Sequence, residues 1–323
     1  MKMNYSKVFF LSFMIVGVMI CLCSNNWLLI WAGLELSLIT LLPLMQNNLM
    51  ITSESMMKYF LVQSISSGLL IFGLMILLTN IKPNYLIVTL SILMKMGVAP
   101  FHSWLISVVE PIQSLPLILM LTVSKISPLM ILSFMQVSIS IIILITLITG
   151  SIMGLNQSAV KKLIAYSSIF NMGLITMAIK NNFIWSFYLM MYSILIIMLV
   201  WMMSKLNSIY TNQIIINEQM TENKYALWMN LLSLGGMPPL MGFTIKLVII
   251  EFSISKMMIL NLIVMIVMST LVMFFYMRMA YLTLMFFLYY PKWSMFKTSK
   301  ISSLVIMLNL MLTPLILMIK NLN

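Results

Sequence analysis

Polar residues in this chain come in short islands between apolar runs, and most of those runs are long enough to cross a bilayer. A hydrocarbon core about 30 Å thick needs roughly 20 apolar residues per helix. On that ruler the sequence predicts an all-α polytopic membrane protein of about eleven transmembrane helices. They are expected near residues 7–24, 27–46, 56–79, 84–106, 112–134, 137–155, 160–180, 184–206, 226–251, 257–283 and 300–319. Most connections are short; the longest run from Asn207 to Tyr225 and from Phe287 to Ser299.

Composition excludes the main soluble readings. The chain is 62% hydrophobic and only 7% charged, with a mean hydropathy of +1.10, so it lacks the charged surface a soluble fold of 323 residues needs. Lipid is the expected solvent for most of its exterior. A net charge of +12 could suggest nucleic acid. The basic residues are instead scattered between apolar runs, with a single arginine, Arg278, so no nucleic-acid partner is expected. Cys21 and Cys23 are too close in sequence for a disulfide and have no companions for a metal site. Met1 to Lys7 leads straight into the first apolar run, without the features of a removable targeting segment. The 38 methionines, against one arginine and no aspartate, suggest an AT-rich organellar coding bias rather than a packing need.

Charge placement gives an orientation. With an odd number of spans, the side holding the N-terminus collects Lys2, Lys7, Lys58, Lys161, Lys162, Lys205, Lys224, Arg278, Lys292, Lys297 and Lys300. The opposite side collects Lys82, Lys180, Lys256 and Lys320. The positive-inside rule then puts the N-terminus on the cytoplasmic or matrix side.

Four charges fall inside the apolar runs: Glu35, Lys95, Lys125 and Lys246. A charge at the bilayer centre costs roughly 2.5–3.5 kcal/mol on insertion scales and usually marks an ion or proton path. Lys95 precedes Gly97-Val98-Ala99-Pro100, and Lys125 precedes Pro128. Lys246 follows Gly235-Gly236-Met237-Pro238-Pro239. Proline breaks or kinks a helix, and irregular backbone at membrane depth must be buried in protein or face water. The fourth and ninth spans are therefore the expected broken pair. Lysine suits proton transfer because, unlike arginine, it can give up its proton when buried. Glu35 reads as the acidic partner of a lysine, or as a structural counter-ion. His102, the only histidine, reads as a proton relay beside the Pro100 break or as hydrogen-bonded scaffold. Glu54 and Lys58 have the spacing of a helical surface ion pair. The chain has no nucleotide fingerprint, thiolate cluster or paired histidines, so no redox cofactor is expected in it.

These residues also carry a resemblance. Trp31 to Leu36, Glu54 with Lys58-Tyr59-Phe60, Lys95 to Trp104, Lys125 to Pro128, Asn156-Gln157, Ala165 to Ser168 and Ser233 to Lys246 occur together and in order. Across nearly its whole length the chain resembles the subunit 2 family of mitochondrial NADH:ubiquinone oxidoreductase, or respiratory complex I, in its shortened animal form. The resemblance implies an antiporter-like transmembrane domain over residues 1–323. It would hold inverted five-helix repeats with broken helices, near 7–134 and 137–283, and an extra C-terminal helix near 300–319. It also implies that Glu35, Lys95, Lys125 and Lys246 transfer protons. NADH, flavin, iron–sulfur clusters and ubiquinone would belong to other subunits. Implied partners are the other membrane-arm subunits, including a neighbouring antiporter-like subunit and a small core membrane subunit, and the lipid bilayer. The location would be the mitochondrial inner membrane, with the N-terminus in the matrix.

The chain departs from the family pattern at several positions. Asn171 stands where histidine is common, and Leu174 where tryptophan is usual. Ser124 replaces glutamine, Ile106 replaces proline, and Ile245 and Leu247 replace proline and tryptophan. Asn171 leaves water or hydroxyls to carry protons in that half. The expected function is proton translocation coupled to electron transfer elsewhere in the complex. The alternatives are a stand-alone cation/proton antiporter subunit and a structural spacer.

Overall fold

The computed structural model describes residues 5–47, 49–79, 85–135, 139–206, 208–213, 221–285 and 300–321. Among these the chain is helical, and the only β-type pairing is an isolated bridge between Ala159 and Tyr210. Lys2, Lys82, Glu218, Lys292, Lys297 and the connection from Phe287 to Ser299 lie outside the described residues.

The first compact unit comprises residues 1–146 and 179–182. It holds α1 (Tyr5–Cys23), α2 (Trp27–Met45), α3 (Met50–Leu78), α4 (Leu86–Met96), α5 (Ser103–Val109), α6 (Ser114–Leu121) and α7 (Val123–Met135). The boundary falls within α8 (Ser140–Leu155). The second unit comprises residues 147–178 and 183–323. It holds α9 (Val160–Met177), α10 (Asn182–Leu206), α11 (Thr221–Gly235), α12 (Met241–Ser255), α13 (Ile259–Met285) and α14 (Lys300–Asn321).

The expected spans agree with these helices apart from a few boundaries. The third begins earlier, at Met50, which brings Glu54 and Lys58 onto α3 as an exposed ion pair of 2.6 Å. Exposed pairs of this kind add little to stability, because water screens them. The fourth span is broken between Met96 and Ser103, and the ninth between Gly235 and Met241.

The fifth span differs from expectation. Pro128 sits inside α7 without ending it; the interruption falls at Thr122, before Lys125. Proline removes the bond to the carbonyl four residues earlier and crowds that turn, so its effect is felt upstream. There Thr122 and Ser124 donate their hydroxyls to the Ile118 and Met120 carbonyls, at 2.7 and 2.6 Å. These bonds occupy the ladder where α6 ends.

In the first unit α1 lies against α2 through small residues. A Cβ on Gly33 would lie 2.7 Å from the Gly17 carbonyl oxygen. In membranes such small residues let helix backbones approach and gain van der Waals contact. In the second unit α9 is buried on every side from Leu163 to Met177, so its polar Ser167, Ser168, Asn171 and Thr176 are enclosed by protein. Lys224, assigned by sequence to the N-terminal side, is only 4% exposed near the start of α11. Buried lysines are therefore not confined to the three at the breaks. A long aliphatic stem makes such burial feasible.

Candidate functional site

The two broken helices end with the same backbone device. At the end of α4, Gly97 has φ +69°; its N–H donates to Met94 O at 3.1 Å, and Val98 N–H donates to Leu93 O at 3.2 Å. At the end of α11, Gly236 has φ +91°; its N–H donates to Leu232 O at 3.0 Å, and Met237 N–H reaches the same oxygen at 3.2 Å. A left-handed glycine after a helix closes the last carbonyls in this way and lets the chain turn away. Each closure leaves some C-terminal carbonyls for side chains, and the negative end of the helix dipole favours a cation there.

In the first unit those carbonyls are taken by neighbouring helices. Trp104 Nε1 of α5 donates to Met94 O at 3.1 Å, and Gln63 Nε2 of α3 donates to Lys95 O at 3.2 Å. The Tyr59 and Trp104 rings pack with centroids 5.8 Å apart. Together they frame a cavity of about 20 Å³ lined by Ser37, Tyr59, Gln63, Lys95, Trp104, Ser124, Lys125 and Ser127, among other residues. About 10–15 Å³ is enough for one water, provided polar groups surround it. Both conditions hold here.

Lys95 and Lys125 therefore face one polar space large enough for a water. Both are buried, and the Lys125 Nζ atom has no hydrogen-bond partner in the protein. Taking an ammonium out of water costs several kcal/mol unless other groups compensate, so a hydrated cavity beside it is the physical requirement.

Glu35 reaches this group by charge rather than by contact. It interacts electrostatically with Lys95 and with Tyr59. No ion pair within 4 Å joins it to Lys95, though, and Glu35 Oε1 is buried without a hydrogen-bond partner. The expected Glu35–Lys95 pair is thus a through-space pair and not a salt bridge. His102 is half-buried, donates from Nδ1 to Pro100 O at 3.2 Å, and is absent from the cavity lining. Its contact is with the backbone of the break, the scaffold alternative of the sequence reading.

In the second unit Lys246, one turn into α12, reaches back to α11. Its Nζ donates to the Gly235 carbonyl at 2.7 Å, and the Phe170 ring centroid lies 6.0 Å away. Asn171, Tyr188, Tyr192, Ser233 and Lys246 line a second space of about 10 Å³, at the lower limit for one water. Tyr188 donates its hydroxyl to Asn171 Oδ1 at 2.7 Å, and Tyr276 donates to Ser167 Oγ at 2.7 Å.

Tyr59, Gln63, Tyr188 and Tyr192 were not anticipated from the sequence. The signal available was a tyrosine or glutamine amid an apolar run, whose polar atom needs a partner at membrane depth. It does not say which face the residue occupies.

Buried lysines set beside glycine-closed half-helices, within a polytopic helical fold, define a membrane protein of the antiporter-like class. The corresponding family, described as NADH:quinone oxidoreductase/Mrp antiporter, transmembrane, matches residues 24–84 and 79–275. Within it, the chain belongs to the NADH-ubiquinone oxidoreductase chain 2 family. It is 35% identical to the Anopheles gambiae member over 290 residues, covering 85% of each chain. Its fold is shared with a chain of respiratory complex I from Thermus thermophilus, with a TM-score of 0.83 at 18% identity, over 98% of this chain and 80% of that one. A chain of the Mrp complex from Dietzia has the same fold, with a TM-score of 0.73 at 15% identity, over 84% of this chain and 59% of that one.

Proposed function

We propose that this chain moves protons across the mitochondrial inner membrane as a membrane-arm subunit of NADH:ubiquinone oxidoreductase. The observation that carries this reading is the single cavity shared by Lys95 and Lys125. Two like charges in one small space repel, so the cavity favours one proton more than two. A change in charge near Glu35 alters the electrostatic hold on Lys95 and thereby drives a proton toward or away from Lys125. Lys246, on the carbonyl end of its own half-helix, serves as the corresponding station in the second unit. Redox chemistry with NADH, flavin, iron–sulfur clusters and ubiquinone belongs to partner subunits, and this chain contributes proton-exchanging side chains. The two halves are read as inverted five-helix repeats, with the N-terminus in the matrix.

The stand-alone antiporter reading shares the fold and the lysines. Identity of 35% to an oxidoreductase chain 2 favours the redox-coupled reading. The spacer reading leaves the shared wet cavity without a purpose. The test is Lys125→Met in the assembled complex, with protons moved per NADH oxidised as the readout. The ratio is expected to fall while the complex still assembles; an unchanged ratio overturns the role of Lys125.

A further inference from the structure

The second cavity contains a hydroxyl unlike its neighbours. Tyr188 and Tyr276 each give their proton to a fixed acceptor, Asn171 Oδ1 and Ser167 Oγ. Ser167, Ser168 and Ser233 donate to carbonyls one turn back, those of Ile164, Ala165 and Asn230. Tyr192 is only 4% exposed, and its ring runs alongside that of Tyr188, with centroids 6.5 Å apart. Its hydroxyl lies near Asn171 and Ser168 yet completes no well-formed hydrogen bond. It lines the same space as Lys246. A buried polar atom without a protein partner needs water or another exchangeable group. Here the cavity has room for the first, and Lys246, which lines it, carries the second.

We propose that Tyr192 is a proton-carrying residue of the second unit, passing protons between the cavity water and Lys246. The transfer is a hop. The phenol oxygen accepts a proton from water while its own proton passes to the neutral Lys246 amine, directly or through one intervening water. A hydroxyl can donate and accept at once, so the tyrosine ends each hop neutral. The products are an ammonium on Lys246 and a water that has lost one proton. No electron moves, and no bond other than O–H and N–H changes.

Tyr188 and Asn171 have a different task. Their 2.7 Å bond ties α10 to α9 and holds the Tyr192 ring, one turn further along α10, against the cavity. They are positioning residues for this hop.

This inference rests on the proposed role of Lys246 and has its own test. Tyr192→Phe keeps the ring and removes a hydroxyl that makes no well-formed hydrogen bond in the protein, so the assembled complex is expected to form normally. Positioned acid–base groups contribute at least about a hundredfold, so proton delivery through this unit should slow by about that factor. The readouts are a drop in protons moved per NADH oxidised and a smaller solvent deuterium isotope effect on proton uptake. Tyr192→His restores an exchangeable proton on a ring and is expected to recover much of the loss. Tyr188→Phe is expected to give a partial defect. A Tyr192→Phe complex with a full proton ratio overturns the proposal. Failure of that complex to assemble also overturns it, because the hydroxyl would then be structural. So does a Tyr192→His complex as defective as Tyr192→Phe. Lys246→Met separates the two claims. A full proton ratio there removes Lys246 from the proposed function, whereas a loss there with none in Tyr192→Phe removes only the tyrosine.

Discussion

The Lys246 ammonium nitrogen lies 2.7 Å from the carbonyl oxygen of Gly235, the last residue of the half-helix before it. The chain between them, including Pro238 and Pro239, turns back so that a cation from α12 meets the negative end of α11. The turn depends on Gly236, where a Cβ would stand 2.7 Å from the lysine nitrogen and the backbone is left-handed at φ +91°.

Gly236→Ala is therefore expected to destabilise the chain by about 1–2 kcal/mol through backbone strain. It should also push Lys246 off its carbonyl and lower the proton ratio. Gly235→Ala is the control, since a Cβ there meets no atom closer than 3.6 Å. Thermal denaturation of the purified complex with each variant, alongside proton counting, separates the two.

Lys125 and Lys246 should differ in what their loss does to stability. Lys125 Nζ has no hydrogen bond to give up, so Lys125→Met should leave stability unchanged or raised. Lys246→Met strips the Gly235 carbonyl of its donor, at a cost of about 1–3 kcal/mol. Comparing melting temperatures of the two variant complexes checks this order.

His102→Gln should leave the proton ratio as it was. The imidazole is bound to the Pro100 carbonyl and does not line the cavity of Lys95 and Lys125. Loss of that one bond costs about 0.5–1.5 kcal/mol. A large fall in the ratio, with assembly intact, would return histidine to the path.

Gly33→Val should act on assembly alone. Its added atoms would strike the Gly17 carbonyl and Cys21 of α1, which an overpacked interface resolves at a cost of about 1–3 kcal/mol. Less complex should accumulate, and whatever forms should pump normally. Blue-native electrophoresis together with proton counting tests both parts.

Much of the fold was legible because lipid imposes a simple rule of length, and Pro100 and Pro238-Pro239 mark true breaks. Pro128 misled because a proline displaces its effect upstream, to a point the hydroxyls of Thr122 and Ser124 then fix. Lys95 and Lys125 could be found as expensive charges one by one. Their sharing of a cavity could not, because it depends on how α3, α4, α5 and α7 meet. The same limit hid the placement of Tyr59, Gln63 and Tyr192, and the absence of a salt bridge between Glu35 and Lys95. The burial of Lys224 was hidden too, because sequence position near a span end does not reveal it.

The central claim is that Lys95 and Lys125 handle protons through one hydrated space, and water is its most direct witness. A structure of the assembled complex that resolves solvent is expected to show an ordered water about 3 Å from Lys125 Nζ, linked toward Lys95. A dry cavity, with Lys125 paired directly to a carboxylate, would contradict it.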